Sequence, residues 1–171
     1  DEPQQLAAYG ADNVHIVTNA ELNTYSTDAF SQALTEVVNT IKPDVILIGH
    51  TAIGRDLAPR VAARLGLGLI SDCTGVEVNG EEIVFIRPVY AGKLFQKKKV
   101  VEGTIFATIR PNNIAKGEPN AQRTANVTET QVTIKDIRTV IKDVVKKTTG
   151  KIDLTEAKII VSGGRGLKSA N

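Results

Sequence analysis

The sequence predicts an α/β fold: three layers around a mostly parallel sheet, with an antiparallel β-meander added to it. Three observations carry this. Over residues 14–71, short β-branched runs alternate with stretches whose apolar residues recur at helical spacing, the signature of parallel strands joined by crossover helices. After Thr74 the pattern changes to alternating runs around Asn79-Gly80, a strong hairpin signal. Near the end a last β-branched run, Lys158 to Val161, flows into Ser162-Gly163-Gly164-Arg165-Gly166.

The elements follow in order. "VHIV" (Val14 to Val17) is a short apolar run between polar residues, as a buried strand requires. Phe30, Leu34, Val37, Val38 and Ile41 then mark a helix that Ser26 or Thr27 can cap and Pro43 closes. "DVILIGH" (Asp44 to His50) is continuously apolar over four residues, which predicts a strand covered on both faces. In "TAIGRDLAPRVAARLG", Leu57, Val61 and Leu65 share one stripe. A helix capped by Asp56 would place Pro59 in its first turn, where a missing N–H costs least, and Gly66 ends it. "LGLIS" (Leu67 to Ser71) supplies a third strand.

Beyond Thr74, the hairpin and the run Gly103 to Arg110 predict an antiparallel meander, with Lys97 to Lys99 at a solvated hairpin tip. "RPNNIAKGEPNAQRT" reads as an exposed loop. Residues 138–147 fit helical spacing, but their β-branched content favours a strand. "DLTEA" is a short turn or helical piece, and "KIIVSGG" is expected to rejoin the parallel sheet as a last strand.

Composition narrows the function classes. The 171 residues are 42% apolar and 23% charged, enough for one domain with a real core. With 21 basic against 19 acidic residues the net charge is +2, so no long-range field steers a nucleic acid or an anionic membrane. Cys73 is alone, which excludes an internal disulfide, points to a reducing compartment, and reads as a small core residue rather than a reactive thiol. No apolar run is long enough to span a bilayer. The chain opens on Asp1-Glu2-Pro3 and contains no Met, which is expected of part of a longer product.

Two strand ends are candidate sites. "SGGRG" exposes backbone N–H groups suited to an anion, and Arg165 offers a planar fork for phosphate or an aromatic ring. It matches neither a dinucleotide fingerprint nor a P-loop, so spacing alone favours a plain turn between domains. "GHTAIGRD" could hold a nucleotide or anion through Thr51, Gly54 and a helix N-terminus. Simple capping is favoured, because Asp56 stands where the anion would sit. His15 and His50 lack further ligands at metal-binding spacing and read as structural. No nucleophile stands beside a base, so catalysis by this chain is not expected.

"GHTAIGRDLAPRVAARLGLGLISDCTGVE", "RPVYAGK", "TIRPN" and "DLTEAKIIVSGGRGLKSAN" occur in that order, and together they resemble the electron transfer flavoprotein α subunit family over nearly the whole chain. The resemblance implies an adenine nucleotide α-hydrolase-like first domain, residues 1–162, that packs against a β subunit. Residues 163–171 would start a linker into a domain that carries flavin-adenine dinucleotide (FAD). Arg165 matches a residue that contacts that cofactor, with Gly164 beside it, and most of the pocket is expected after Asn171. FAD is therefore expected in the whole protein and weakly or not at all on this chain alone. The implied role is electron carriage rather than catalysis, from flavin dehydrogenases to a quinone reductase or other acceptor. The compartment would be the bacterial cytoplasm, or the mitochondrial matrix in a eukaryote. The alternative is an ATP- or AMP-binding module like the universal stress proteins.

Overall fold

A computed structural model describes residues 2–139, 141, 142, 154, 157 and 159–168. A short helix α1 (Glu2–Ala8) leads to β1 (Asn13–Thr18), α2 (Thr27–Ile41), β2 (Val45–Gly49), α3 (Ala52–Leu65) and β3 (Ile70–Cys73). The meander strands are β4 (Gly75–Asn79), β5 (Glu82–Val89) and β6 (Leu94–Lys98). They are followed by β7 (Ile105–Ile109) and β8 (Asn126–Gln131).

The parallel strands form two hydrogen-bonded groups, β1-β8 and β2-β7-β3, and the antiparallel sheet runs β4-β5-β6. Helices α2 and α3 cover one face of the second group, where Ile46, Leu57, Ala58, Val61 and Phe106 pack with Phe30, Leu34 and Val38. On the opposite face, Phe85 of β5 packs against Ile70, Cys73 and Ala107. The fold is thus three layers with a mostly parallel centre and an added antiparallel sheet.

Several expectations are corrected. The run from Gly103 does not join the meander: β7 lies between β2 and β3 in parallel, with Ile46 opposite Phe106. Three consecutive buried residues, Phe106, Ala107 and Thr108, suit only a strand covered on both sides. That position belongs to β7 and not to β2, whose Leu47 is 55% exposed. "LGLIS" starts its strand late, because Leu67 N donates back to Ala62 O (2.9 Å) and so finishes α3. Lys97 and Lys98 belong to β6; the hairpin tip is Tyr90 to Lys93. Lys97 reaches across the sheet to Glu77 at 2.8 Å.

Asp56 does not cap α3. Thr51 does, its hydroxyl accepting from Gly54 N at 3.1 Å, so the helix starts a turn earlier and Pro59 falls inside it. Pro59 and Arg55 are both exposed, and Pro59 lacks the N–H that would bond the Arg55 carbonyl. Helix α2 is capped by Ser26 as expected, and it stops at Lys42, which takes the left-handed conformation ahead of Pro43.

The last strand is also not formed over the described residues of its run. Residues 159–161 are in no strand, and Ile159 and Val161 are 85% and 94% exposed. A strand needs a hydrogen-bonding edge and cover for its apolar face, and among the described residues no strand pairs with this run. The strand expected at 138–147 falls partly outside the described residues; residues 138, 139, 141 and 142 are irregular.

Candidate functional site

The terminal loop and the carboxyl edge of the parallel sheet are the two places where chemistry-bearing residues gather. In the loop, Gly164 precedes a 3-10 turn, Arg165–Leu167, and every residue from 159 to 168 is exposed. A Cβ at Gly164 would meet nothing within 4 Å, so backbone there is open to close approach by a large ligand. A Cβ at Gly163 would lie 2.5 Å from Leu167 Cδ1, so the bend packs on its own turn. An exposed arginine beside bare backbone can meet an anion or a planar ring; it does not make an enclosed pocket.

The carboxyl edge is better ordered. It brings together His50, which follows β2, Asp72 near the end of β3, and Thr108 and Arg110 at the end of β7. Backbone bonds stitch these ends: His50 N donates to Ile109 O (2.6 Å) and Arg110 N to Cys73 O (2.8 Å). Ligands of open α/β sheets bind outside this edge of the strands. Gly54 is what lets α3 begin here, since a Cβ on it would lie 1.9 Å from the Gly49 carbonyl oxygen.

Thr108 is the buried hub. Its hydroxyl accepts from Asp72 N at 2.9 Å and lies 2.9 Å from His50 Nδ1. The other ring nitrogen, Nε2, lies 3.6 Å from Asp72 Oδ1. Burial holds the His50 pKa below its ordinary value; Asp72 opposes this, and Arg55, Arg110 and Arg87 reinforce it. His50 is thus neutral near pH 7. Arg110 donates twice to Asp72, Nε to Oδ1 at 2.9 Å and Nη2 to Oδ2 at 2.7 Å. This fork keeps the carboxyl below the usual carboxylate range. Cys73 is fully buried, and that burial raises its thiol pKa, so it is the inert core residue expected from sequence.

A cavity of about 490 Å³ opens beside this cluster, lined by Asp72, Arg87, Arg110 and the hairpin turn Tyr90 to Gly92. The backbone around it is strained: Asp72, Tyr90 and Ala91 have φ of 62°, 51° and 55°. The sequence reading places His50 here but misses Asp72, Arg87 and Arg110. The usable signal was their position just inside or beyond predicted strand ends. His15, in β1, lies 3.5 Å from Thr130 of β8, apart from this cluster. Among the described residues no group of His, Cys, Asp or Glu could hold a metal. No helix of the described residues is long and apolar enough to cross a membrane.

Comparison with known proteins is direct. A family model described as electron transfer flavoprotein domain matches residues 2–135. The electron transfer flavoprotein subunit alpha of Bacillus subtilis (strain 168) is 49% identical over 166 residues, covering 97% of this chain and 51% of that protein. Protein FixB of Clostridium saccharobutylicum is 38% identical over 97% of this chain and 51% of its own length. The acryloyl-CoA reductase electron transfer subunit beta of Anaerotignum propionicum is 35% identical over 96% of this chain and 53% of its own. This chain therefore spans about half the length of the relatives it matches. With the family model covering most of the folded body, the chain belongs to the electron transfer flavoprotein domain family.

Proposed function

We propose that this chain is the N-terminal α/β part of an electron transfer flavoprotein α-type subunit. Residues 1–162 form its first domain and 163–171 the start of the passage into an FAD-binding domain. The chain pairs with a β subunit and contributes one wall of the FAD site through Arg165 and Gly164. The bound flavin supplies the electron-accepting and electron-donating chemistry. This chain's residues would position one side of it. The whole protein carries electrons from flavin dehydrogenases to a quinone reductase or another acceptor, and acts as a carrier rather than an enzyme. Its setting is the cytoplasm, in keeping with bacterial relatives.

The observation that carries the reading is the exposed arginine loop, presented beside three uncovered apolar residues and joined to a body that matches the family. Such a segment is suited to being covered by further protein and cofactor. None of the relatives reported above is named as an ATP- or AMP-binding module, and that alternative has no support.

The test uses the full-length protein purified with its β subunit. Arg165→Ala should weaken FAD retention about 10- to 100-fold, the value of a lost charge-assisted contact, while Lys168→Ala leaves it unchanged. Unaltered FAD content and an unaltered visible spectrum in Arg165→Ala would overturn the assignment of that residue.

A further inference from the structure

We propose that the cavity at the carboxyl edge, walled by Arg87, Arg110, Asp72 and the left-handed turn Tyr90 to Gly92, is an oxyanion site that takes a phosphate-type anion. It is separate from the arginine loop and does not rest on the flavin reading. The first support is an orphan donor. Arg87 Nε is shielded from solvent and has no hydrogen-bond partner among the described residues, although the side chain lines the cavity. A guanidinium N–H left unsatisfied costs stability unless something accepts from it.

The second support is charge. Arg55, Arg87 and Arg110 all act on His50, and the opposing carboxylate named there is Asp72, while His50 itself is neutral. Among the residues that line the cavity, Arg87 and Arg110 stand against Asp72 alone, an excess of one positive charge that favours an anion. Asp56 is not among the residues lining the cavity, and its carboxylate accepts from the hydroxyls of Tyr25 (2.7 Å) and Thr27. Arg110 is held on Asp72 as a fixed fork, so the cavity is walled by a preset cation rather than a loose one.

The third is strain. Asp72, Tyr90, Ala91 and Gly92 all have positive φ, and all four line this one cavity. Each non-glycine residue held so costs about 1–3 kcal/mol, and such strain gathers where a structure grips something. The turn is built as a left-handed bend, with Gly92 N on Val89 O (3.1 Å) and Lys93 N on Tyr90 O (3.2 Å). Its geometry sets backbone at the cavity rim beside Arg87. The volume, about 490 Å³, exceeds what a single phosphate needs and leaves room for a phosphoryl group attached to a larger molecule.

The experiment titrates inorganic phosphate into the chain at constant ionic strength and follows the backbone amides of Ala91 and Gly92 by NMR, with acetate as the control anion. Saturable shifts confined to the cavity are expected, at least about tenfold weaker in Arg87→Gln. Arg87→Lys keeps the charge but loses the fork, and should weaken binding about threefold. It carries the test if the glutamine variant fails to fold. AMP in place of phosphate distinguishes a free ion, bound equally well, from a phosphoryl group on a nucleotide, bound more tightly; either result keeps the site. Shifts that do not saturate, that acetate reproduces, or that are indifferent to both Arg87 variants would overturn it.

Discussion

"VILIG" in β2 and "IIVSG" at residues 159–163 are nearly the same sequence pattern in opposite circumstances. In β2, Ile46 is buried against α3 and Phe106, and the strand is paired along its length with β7. At 159–161 every side chain is exposed and no described strand pairs with the run. β-Branched composition is therefore permission to form a strand and no more. An edge with free N–H and C=O groups, and a surface to cover, decide the outcome. In the reading proposed above, that edge and surface lie in other protein.

Substitution can break this comparison. Phe106→Ala should cost roughly 3–5 kcal/mol, since Phe106 is fully buried under both helices, and urea or thermal unfolding would measure it. Next comes the turn that seats α3 on β2. Thr51→Ala removes the cap on Gly54 N and should cost about 1 kcal/mol by the same unfolding assay.

The pH dependence sharpens the contrast further. The folded pKa of His50 lies below its ordinary 6.5, so its contribution is fully present above about pH 6.5 and is lost as pH falls toward the folded value. Asp72 behaves likewise at lower pH, losing its contribution as pH falls through its depressed value. The groups facing His50 are Asp72, Arg55, Arg110 and Arg87, and Asp72 is the one that favours its protonation. Melting temperature should thus decline from pH 7.5 to 5, and His50→Gln should flatten that decline. The smallest effect is reserved for the terminal run. Ile160→Ser in this chain should change stability by less than about 0.5 kcal/mol. In the full-length complex, where the run is proposed to be covered, the same change should cost more.

Much of this contrast was legible beforehand and some of it was not. The caps and breakers at Ser26, Pro43, Gly66 and the hairpin at Gly80 act locally, so sequence reveals them. Even there, Asn79 and Glu82 pair and Gly80 alone turns left-handed, which makes the two-residue loop Gly80-Glu81. The insertion of β7 between β2 and β3 is a long-range pairing, invisible to local patterning. Strand β8 was missed because Val127 and its neighbours are largely exposed and show little apolar alternation. The carboxyl-edge cluster draws Asp72, Arg87 and Arg110 from three strand regions, and only topology brings them together. The proposal for Arg165 and Gly164 rests on the resemblance, since spacing alone favoured an ordinary turn.

This chain is proposed to supply one wall of a flavin site and not the pocket. Titrating residues 1–171 with FAD and recording visible absorbance tests it most directly. Weak binding or none, without stoichiometric uptake, is the predicted result. A tight one-to-one complex formed by this chain alone would contradict it.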